Sequence, residues 1–508
     1  MSNYLANLPF LPVLIPLVTA ILLLMVKKSI HTQKIISTIS SIVTLSISGF
    51  MLYYTLTTHK ILVFCASGWS APYGIVFTAD LTASIMVLFS SILFLICLLF
   101  GFFVLHIEQQ KNFYYPLWQF LIIGVNGALL TGDLFNLFVF FEIMLIASYI
   151  LLVIGSSKAQ LQETFKYLII NLAGSTLFLI ALGALYALTG TMNMADLANK
   201  ITNLPQQGIA TIVVFLLLAV FGLKAAIIPF HFWLPQVHTV APSPISGIFS
   251  GLLIKVGAYA ILRTFTLMFT GDTILTNAVL MAIAIVSMVA GAIGAVGAMN
   301  YKTILAYHSI SQMGYILGGI GLFTVSGVTG SIFFILHHGF IKASLFLTSG
   351  IAEKITGTRD LRKMGGLLST YPGLSFTFLI TALSLAGVPP LSGFFGKLFL
   401  VSASLENQNY WFMAFAIGTG ILTLFSMIKI FLCAYWGENK QEKTPVTGFG
   451  QNGLTYRTSL TCCIILMIIS IAMGLCAQPM FELASAASQQ LMDPTLYIDT
   501  VLNTVGTR

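Results

Sequence analysis

Residues 221–235 read FGLKAAIIPFHFWLP, and residues 386–400 read AGVPPLSGFFGKLFL. Each is an apolar stretch with one lysine, Lys224 or Lys397, set close to prolines: Pro229 and Pro235 in the first, Pro389 and Pro390 in the second. Proline lacks a backbone donor and its ring clashes with the preceding turn, so a helix breaks or kinks there. Inside a bilayer the freed carbonyls must find partners within the protein, and such breaks are tolerated where they line a polar cavity. Two discontinuous membrane helices are therefore expected, and helices of this kind are the best sequence pointer to a transport site.

The rest of the 508-residue chain agrees. It is 57% hydrophobic and 7% charged, against roughly 25% charged in soluble domains. No soluble fold could cover that much apolar surface, whereas a bilayer accepts about 20 apolar residues per span. An all-α polytopic membrane protein of about 14 helices is expected. The helices are placed near 5–26, 33–57, 81–106, 113–131, 134–155, 163–189, 209–240, 243–269, 274–299, 303–323, 328–351, 371–409, 411–436 and 458–478. Segment 480–492 fits an interfacial helix. The first apolar run, Leu8 to Val26, lacks a positive n-region and a small-residue cleavage site, so it is expected to stay as a span. The six cysteines form no CxxC pair and read as small buried hydrophobes.

Charge in the loops sets the orientation. Loops after odd-numbered helices carry Lys27, Lys28, Lys34, Lys111, Lys158, Lys302, Lys354, Arg359, Arg362, Lys363, Lys440, Lys443 and Arg457, with Lys166 at the adjoining edge of the sixth helix. Loops after even-numbered helices carry Lys60 and Lys200, and Arg508 is terminal. The positive-inside rule then places both termini outside. The formal charge of +8 is too sparse for a nucleic-acid surface. Helices 4–8 (residues 113–269) and 9–13 (270–436) form two five-helix units, flanked by a three-helix segment (1–112) and by a loop, last helix and tail (437–508). Each broken helix is the fourth of its five. An odd number of helices per unit inverts the second against the first, the logic of an inverted repeat.

The ionisable residues inside the spans suggest the chemistry. Each mid-membrane charge costs at least about 2.5–3.5 kcal/mol on insertion scales, so such residues face inward, pair and serve a function. Glu142, in GDLFNLFVFFEIMLIASYILL (132–152), is expected to pair with Lys224 across helices five and seven. That pair is either a proton switch or a static tie between helices. Lys224 and Lys255, the latter in SGLLIKVGAYAILRTF (250–265), are candidate proton carriers, because a desolvated lysine releases its proton once its counter-ion moves away. Arg263 cannot practically deprotonate and reads as structural. In FILHHGFIKASLFL (334–347), His338 and Lys342 are four apart on one helix face, and their mutual repulsion suits a relay; His337 points elsewhere. His308, in TILAYHSISQMGY (303–315), suits a relay or a satisfied hydrogen bond. Lys397 is a candidate exit, and Lys429 fits snorkelling toward the helix end. An adjacent His–His pair cannot supply two facing haem ligands. Nothing in the sequence reads as a nucleotide loop, a nucleophile triad or a metal cluster, so a transporter without cofactor is expected rather than an enzyme.

Together these strings resemble the antiporter-like subunits shared by respiratory complex I and the Mrp-type multisubunit sodium/proton antiporters, most of all the D-type subunits of the latter. The likeness spans about residues 80 to 440 and rests on GDLFNLFVFFEIMLIASYILL, FGLKAAIIPFHFWLP, LAYHSISQMGY, HHGFIKASLFLTSG and PPLSGFFGKLFL. It implies a 14-helix fold with inverted five-helix repeats in a bacterial cell membrane, partnered by other subunits of such a complex. It further implies exchange of cytoplasmic sodium for external protons. The residues it matches to functional positions are Glu142 and Lys224 as a pair, Lys255 as the central lysine, His338 and Lys342 as relay positions, and Lys397 at the end of a half-channel. His308 follows a more variable position. The rival expectations are a proton-pumping subunit of a redox complex and a silent scaffold of either assembly.

Overall fold

The computed structural model describes residues 3–26, 29–201, 207–269, 273–438 and 453–504. Lys27, Lys28, Lys440, Lys443, Arg508 and most of the 437–457 loop lie outside these. A helix recurs at every expected place. They are α1 (Leu11–Met25), α2 (Ile30–Thr58), α3 (Leu81–Val104), α4 (Tyr114–Leu130), α5 (Leu134–Leu152) and α6 (Lys158–Thr189). The seventh is split into α7a (Gln207–Ala225) and α7b (Leu234–Val240). Next come α8 (Ser243–Leu267), α9 (Thr273–Gly297), α10 (Tyr301–Gly321) and α11 (Val325–Thr356). The twelfth is split into α12a (Pro372–Ala386) and α12b (Ser392–Glu406), followed by α13 (Tyr410–Tyr435), α14 (Leu454–Leu475), α15 (Ala477–Met492) and α16 (Thr495–Leu502). Eleven helices among the described residues are long and apolar enough to cross a membrane. Outside that set fall α4, of 17 residues, the more polar α10, and the halved twelfth helix.

The all-helical expectation needs one amendment. Between α2 and α3, strands β1 (Leu62–Cys65) and β2 (Val76–Ala79) pair antiparallel with Leu62 opposite Ala79. Gly132 donates to the Val76 carbonyl at 2.9 Å, tying this hairpin to the α4–α5 junction. The run 66–75, with Trp69, Pro72 and Gly74, gives no alternating pattern that would reveal a hairpin. The cysteines also divide. Cys97, Cys462 and Cys463 are buried, but Cys65 and Cys433 are half-buried and Cys476 is exposed.

Both breaks are made good by neighbours. At the first, Ala226 adopts a left-handed conformation with φ of 54°. The Trp233 indole donates to the Leu223 carbonyl at 3.1 Å, and the Ile228 amide donates to Ser287 Oγ on α9 at 3.1 Å. Pro235 does not break the helix: it sits in the first turn of α7b, where its missing N–H costs nothing. At the second break, Gly387 takes φ of 95°, and Pro389 and Pro390 form the connecting turn before Ser392.

Two junctions are built alike from like sequence. Thr189-Gly190-Thr191-Met192-Asn193 follows α6, and Thr356-Gly357-Thr358-Arg359-Asp360 follows α11; both helices are 32 residues long. Each ends on a left-handed glycine, with φ of 69° at Gly190 and 70° at Gly357. Asn193 forms an antiparallel bridge with Asp133, the N-cap of α5, and Asp360 forms one with Asn300, the N-cap of α10. The flanking bonds match: Leu134 to Met192 and Met194 to Gly132 in one, Tyr301 to Arg359 and Leu361 to Met299 in the other, at 2.9–3.0 Å.

Candidate functional site

The site is a buried polar seam that follows the broken helices. Lys224, at the end of α7a, is 4% exposed. Its ammonium donates to Asn171 Oδ1 at 3.4 Å and Ser175 Oγ at 3.3 Å, both on α6. Ser175 Oγ in turn donates to Glu142 Oε1 on α5. The expected Glu142–Lys224 pair is thus not a direct ion pair. The serine hydroxyl stands between carboxylate and ammonium, and Glu142 itself is half-exposed on the flank of the chain. Helix α8 closes on this end of α7a through Gly257, where a Cβ would lie 2.6 Å from the Ala225 nitrogen.

Lys255 and Lys342 lie deeper, both fully buried. Lys255 follows a π-helical turn, Phe249–Leu253, and its ammonium donates to the Ser250 carbonyl inside that turn. Ser250 Oγ meets Ser309 Oγ on α10 at 2.7 Å. Lys342 on α11 reaches the Leu305 carbonyl on α10 at 2.6 Å, and Ser309 Oγ donates to the same carbonyl at 3.2 Å. The two lysines therefore converge on one short stretch of α10. His338 is fully buried, and neither ring nitrogen has a hydrogen-bond partner among the described residues.

From there a ladder of hydroxyls on α13 leads toward Lys397. His308 Nε2 meets Ser426 Oγ at 2.7 Å, Gln312 Nε2 donates to Thr423 Oγ1 at 3.4 Å, and Tyr315 Oη meets Thr419 Oγ1 at 2.9 Å. Lys397 Nζ lies 5.2 Å over the Tyr315 ring and donates to the Ala386 carbonyl at 2.7 Å, a carbonyl left free by the second break. It opens on a cleft of about 340 Å³ lined by Gly387, Val401, Ala416, Gly420 and Leu424. His337, expected to point away from the seam, joins it. Its Nδ1 meets Ser392 Oγ at 2.8 Å at the start of α12b, and Ser392 also meets Ser470 Oγ at 2.7 Å.

The remaining charges are tied down. Lys429 donates to the carbonyls of Val296 and Ala298 at 2.7 Å each, so it caps the end of α9 rather than snorkelling freely. Arg263 forms an ion pair with Asp80 at 2.5 Å. At the opposite end of the bundle, Lys302 pairs with Glu353 at 2.9 Å and holds the Ala241 carbonyl at 3.0 Å, while Arg359 holds Glu353 and the Thr239 carbonyl. Sequence reasoning missed His238 on α7b. It is fully buried, stacks on Phe346 at 4.8 Å, has no hydrogen-bond partner at either nitrogen among the described residues, and lies within electrostatic reach of Lys342, Lys255 and Lys302. Its helical position after the first break was the one available signal.

A multi-pass bundle with two interrupted helices and a seam of buried lysines, histidines and hydroxyls defines an ion-translocating membrane protein. The chain belongs to the family described as NADH:quinone oxidoreductase/Mrp antiporter, whose membrane-domain model matches residues 131–423. It is 45% identical over 496 residues to the D-type subunit of the Na(+)/H(+) antiporter of Alkalihalophilus pseudofirmus, covering 98% of this chain and 99% of that one. Its fold matches a chain of the Mrp complex from Dietzia sp. DQ12-45-1b with a TM-score of 0.91 at 31% identity, covering 99% and 100% of the two chains. A chain of the membrane-bound sulfane sulfur reductase, an archaeal respiratory membrane complex, matches with a TM-score of 0.90 at 25% identity, covering 98% and 100%.

Proposed function

We propose that this chain is a D-type subunit of an Mrp-type sodium/proton antiporter and carries protons along the seam from Glu142 to Lys397, in exchange for sodium. The observation that carries this reading is the end-to-end likeness, at 45% identity, to a D-type antiporter subunit. The relative from a respiratory redox complex stands at 25% identity, which makes the redox alternative the weaker one.

Glu142, Ser175 and Lys224 form the loading switch. A proton on Glu142 removes the negative charge that Ser175 links to Lys224, so the ammonium loses its counter-charge and gives up its proton more readily. Lys255, His338 and Lys342 relay through the Ser250–Ser309 layer, with His308 at the head of the ladder toward Lys397. The matched T-G-T junctions support the reading of residues 113–269 and 270–436 as inverted repeats, with 1–112 and 437–508 as flanks. Loop charge supports termini on the outer side of a bacterial membrane. Sodium takes several oxygen ligands and Glu142 alone is a poor site for it, so on this reading a neighbouring subunit supplies the sodium site. The test is sodium-driven proton flux in vesicles bearing the assembled complex. Glu142→Ala and Lys224→Ala should each abolish it at normal complex abundance, and Lys397→Ala likewise. Full antiport in any assembled variant removes that residue from the path. Redox partners co-purifying in place of antiporter subunits would overturn the assignment.

A further inference from the structure

Helix α8 carries more of a path than the seam uses. Lys255, Tyr259 and Arg263 recur every four residues and are all buried, so they share one face at steps of about 6 Å. The Tyr259 hydroxyl donates to the Leu129 carbonyl at 2.8 Å. It accepts from Arg263 Nη2 at 2.9 Å and Nε at 3.3 Å. One donor and two lone pairs are all a hydroxyl has, so Tyr259 is saturated. Arg263 Nη1 meets Asp80 Oδ2 at 2.5 Å, and Asp80 Oδ1 caps α3 by accepting from the Ala83 amide at 2.8 Å. Asp80 is 2% exposed.

The C-terminal helices close over this pair. The Tyr497 ring of α16 lies 5.3 Å from the guanidinium, and its hydroxyl meets Thr78 Oγ1 of β2 at 3.2 Å. Gln490 of α15 accepts from the Leu81 amide at 2.9 Å. Replacing a buried ion pair by apolar side chains is often neutral or stabilising. A pair kept two turns from the central lysine, on its own helix face, is in the position of a door.

We propose that Arg263 and Asp80 form the outer gate of the proton path, with Arg263 the bar and Asp80 the acceptor beyond it. This rests on the reading of the chain as a proton carrier. With the gate closed, the guanidinium occupies both lone pairs of Tyr259 and puts a fixed positive charge in the way. A proton taken up by Asp80 from the outer side neutralises the carboxylate and loosens its hold on Arg263. When Arg263 then swings off Tyr259, the hydroxyl, bridged by water, passes that proton from Asp80 to the Lys255 amine. An O–H bond breaks at Asp80, an N–H bond forms at Lys255, and Arg263 stays charged throughout.

The two partners of one ion pair should then fail in opposite ways. The assay uses vesicles bearing the assembled complex, read first under an imposed pH gradient without sodium and then with a sodium gradient. Arg263→Gln should leak protons about tenfold faster than the parent without sodium, the size expected for one lost charge-assisted contact. Asp80→Asn should stay tight but lose about tenfold of its sodium-driven flux. A pair that only orders the fold would give two variants that behave alike, and that result overturns the gate. Should neither assemble, Tyr259→Phe removes only the hydroxyl. It should lower driven flux without leak, and parental flux in it overturns the proposal. Because the leak contains no sodium step, it is read independently of the sodium/proton exchange proposed above.

Discussion

Ser175 offers a sharp test of the loading switch, because the direct and bridged arrangements of Glu142 and Lys224 give different outcomes. If carboxylate and ammonium touched, Ser175→Ala would leave them paired and barely change transport. In the structure the hydroxyl donates to Glu142 and accepts from Lys224 at 3.3 Å. Removing it deletes two hydrogen bonds to charged groups, each worth about 1.5–3 kcal/mol. Asn171 Oδ1, at 3.4 Å, remains for the lysine, but the donor to Glu142 goes with the hydroxyl. Loss of one such bond from the transfer step raises its barrier enough to slow flux roughly ten- to hundredfold. The assay is sodium-driven proton flux in vesicles, normalised to the amount of assembled complex. Ser175→Thr, which keeps a hydroxyl, should retain most of the activity. Parental flux in an assembled Ser175→Ala complex would refute the bridge and restore the direct pair.

Another prediction concerns the packing that sets the break. Gly257→Val puts a Cβ 2.6 Å from the Ala225 nitrogen and 2.9 Å from the Lys224 carbonyl carbon, and backbone cannot yield as a side-chain tip does. A loss of at least about 1–3 kcal/mol is expected, seen as a lower unfolding temperature of the purified complex; an unchanged temperature would show that α8 can withdraw freely.

The hydropathy pattern made the helices legible, and proline made both interruptions legible, because those signals are local. The lysines were legible because charge in an apolar run is costly wherever it points. What the sequence hid depends on reach between helices. Ser175 looks like any small residue in α6, and only its position opposite α5 and α7a turns it into a bridge. Asp80 reads as an ordinary N-cap, and its partner Arg263 comes five helices later in the chain. His337 reads as outside the seam because helical spacing sets it off the His338–Lys342 face, yet the bend before α12b brings Ser392 to meet it. The T-G-T junctions are hidden for another reason: so short a likeness does not stand out until the backbone bridges are seen to match.

The placement of charge along the bundle carries its own argument. At each end a cation is held by a carboxylate: Lys302 and Arg359 by Glu353 at one, Arg263 by Asp80 at the other. Between them Lys224, Lys255, Lys342 and Lys397 form no direct ion pair among the described residues, and the one carboxylate linked to any of them, Glu142, reaches Lys224 through a hydroxyl. Two unit charges about 10 Å apart repel by about 1.7 kcal/mol at an effective dielectric of about 20, more than a tenfold shift in occupancy. On the proton path proposed above, a proton that arrives at one lysine would press on the next at such spacings, and the seam would favour passage over storage. The end pairs would then decide where that pressure is released, and this is why the two partners at the Asp80 end should be separable by experiment.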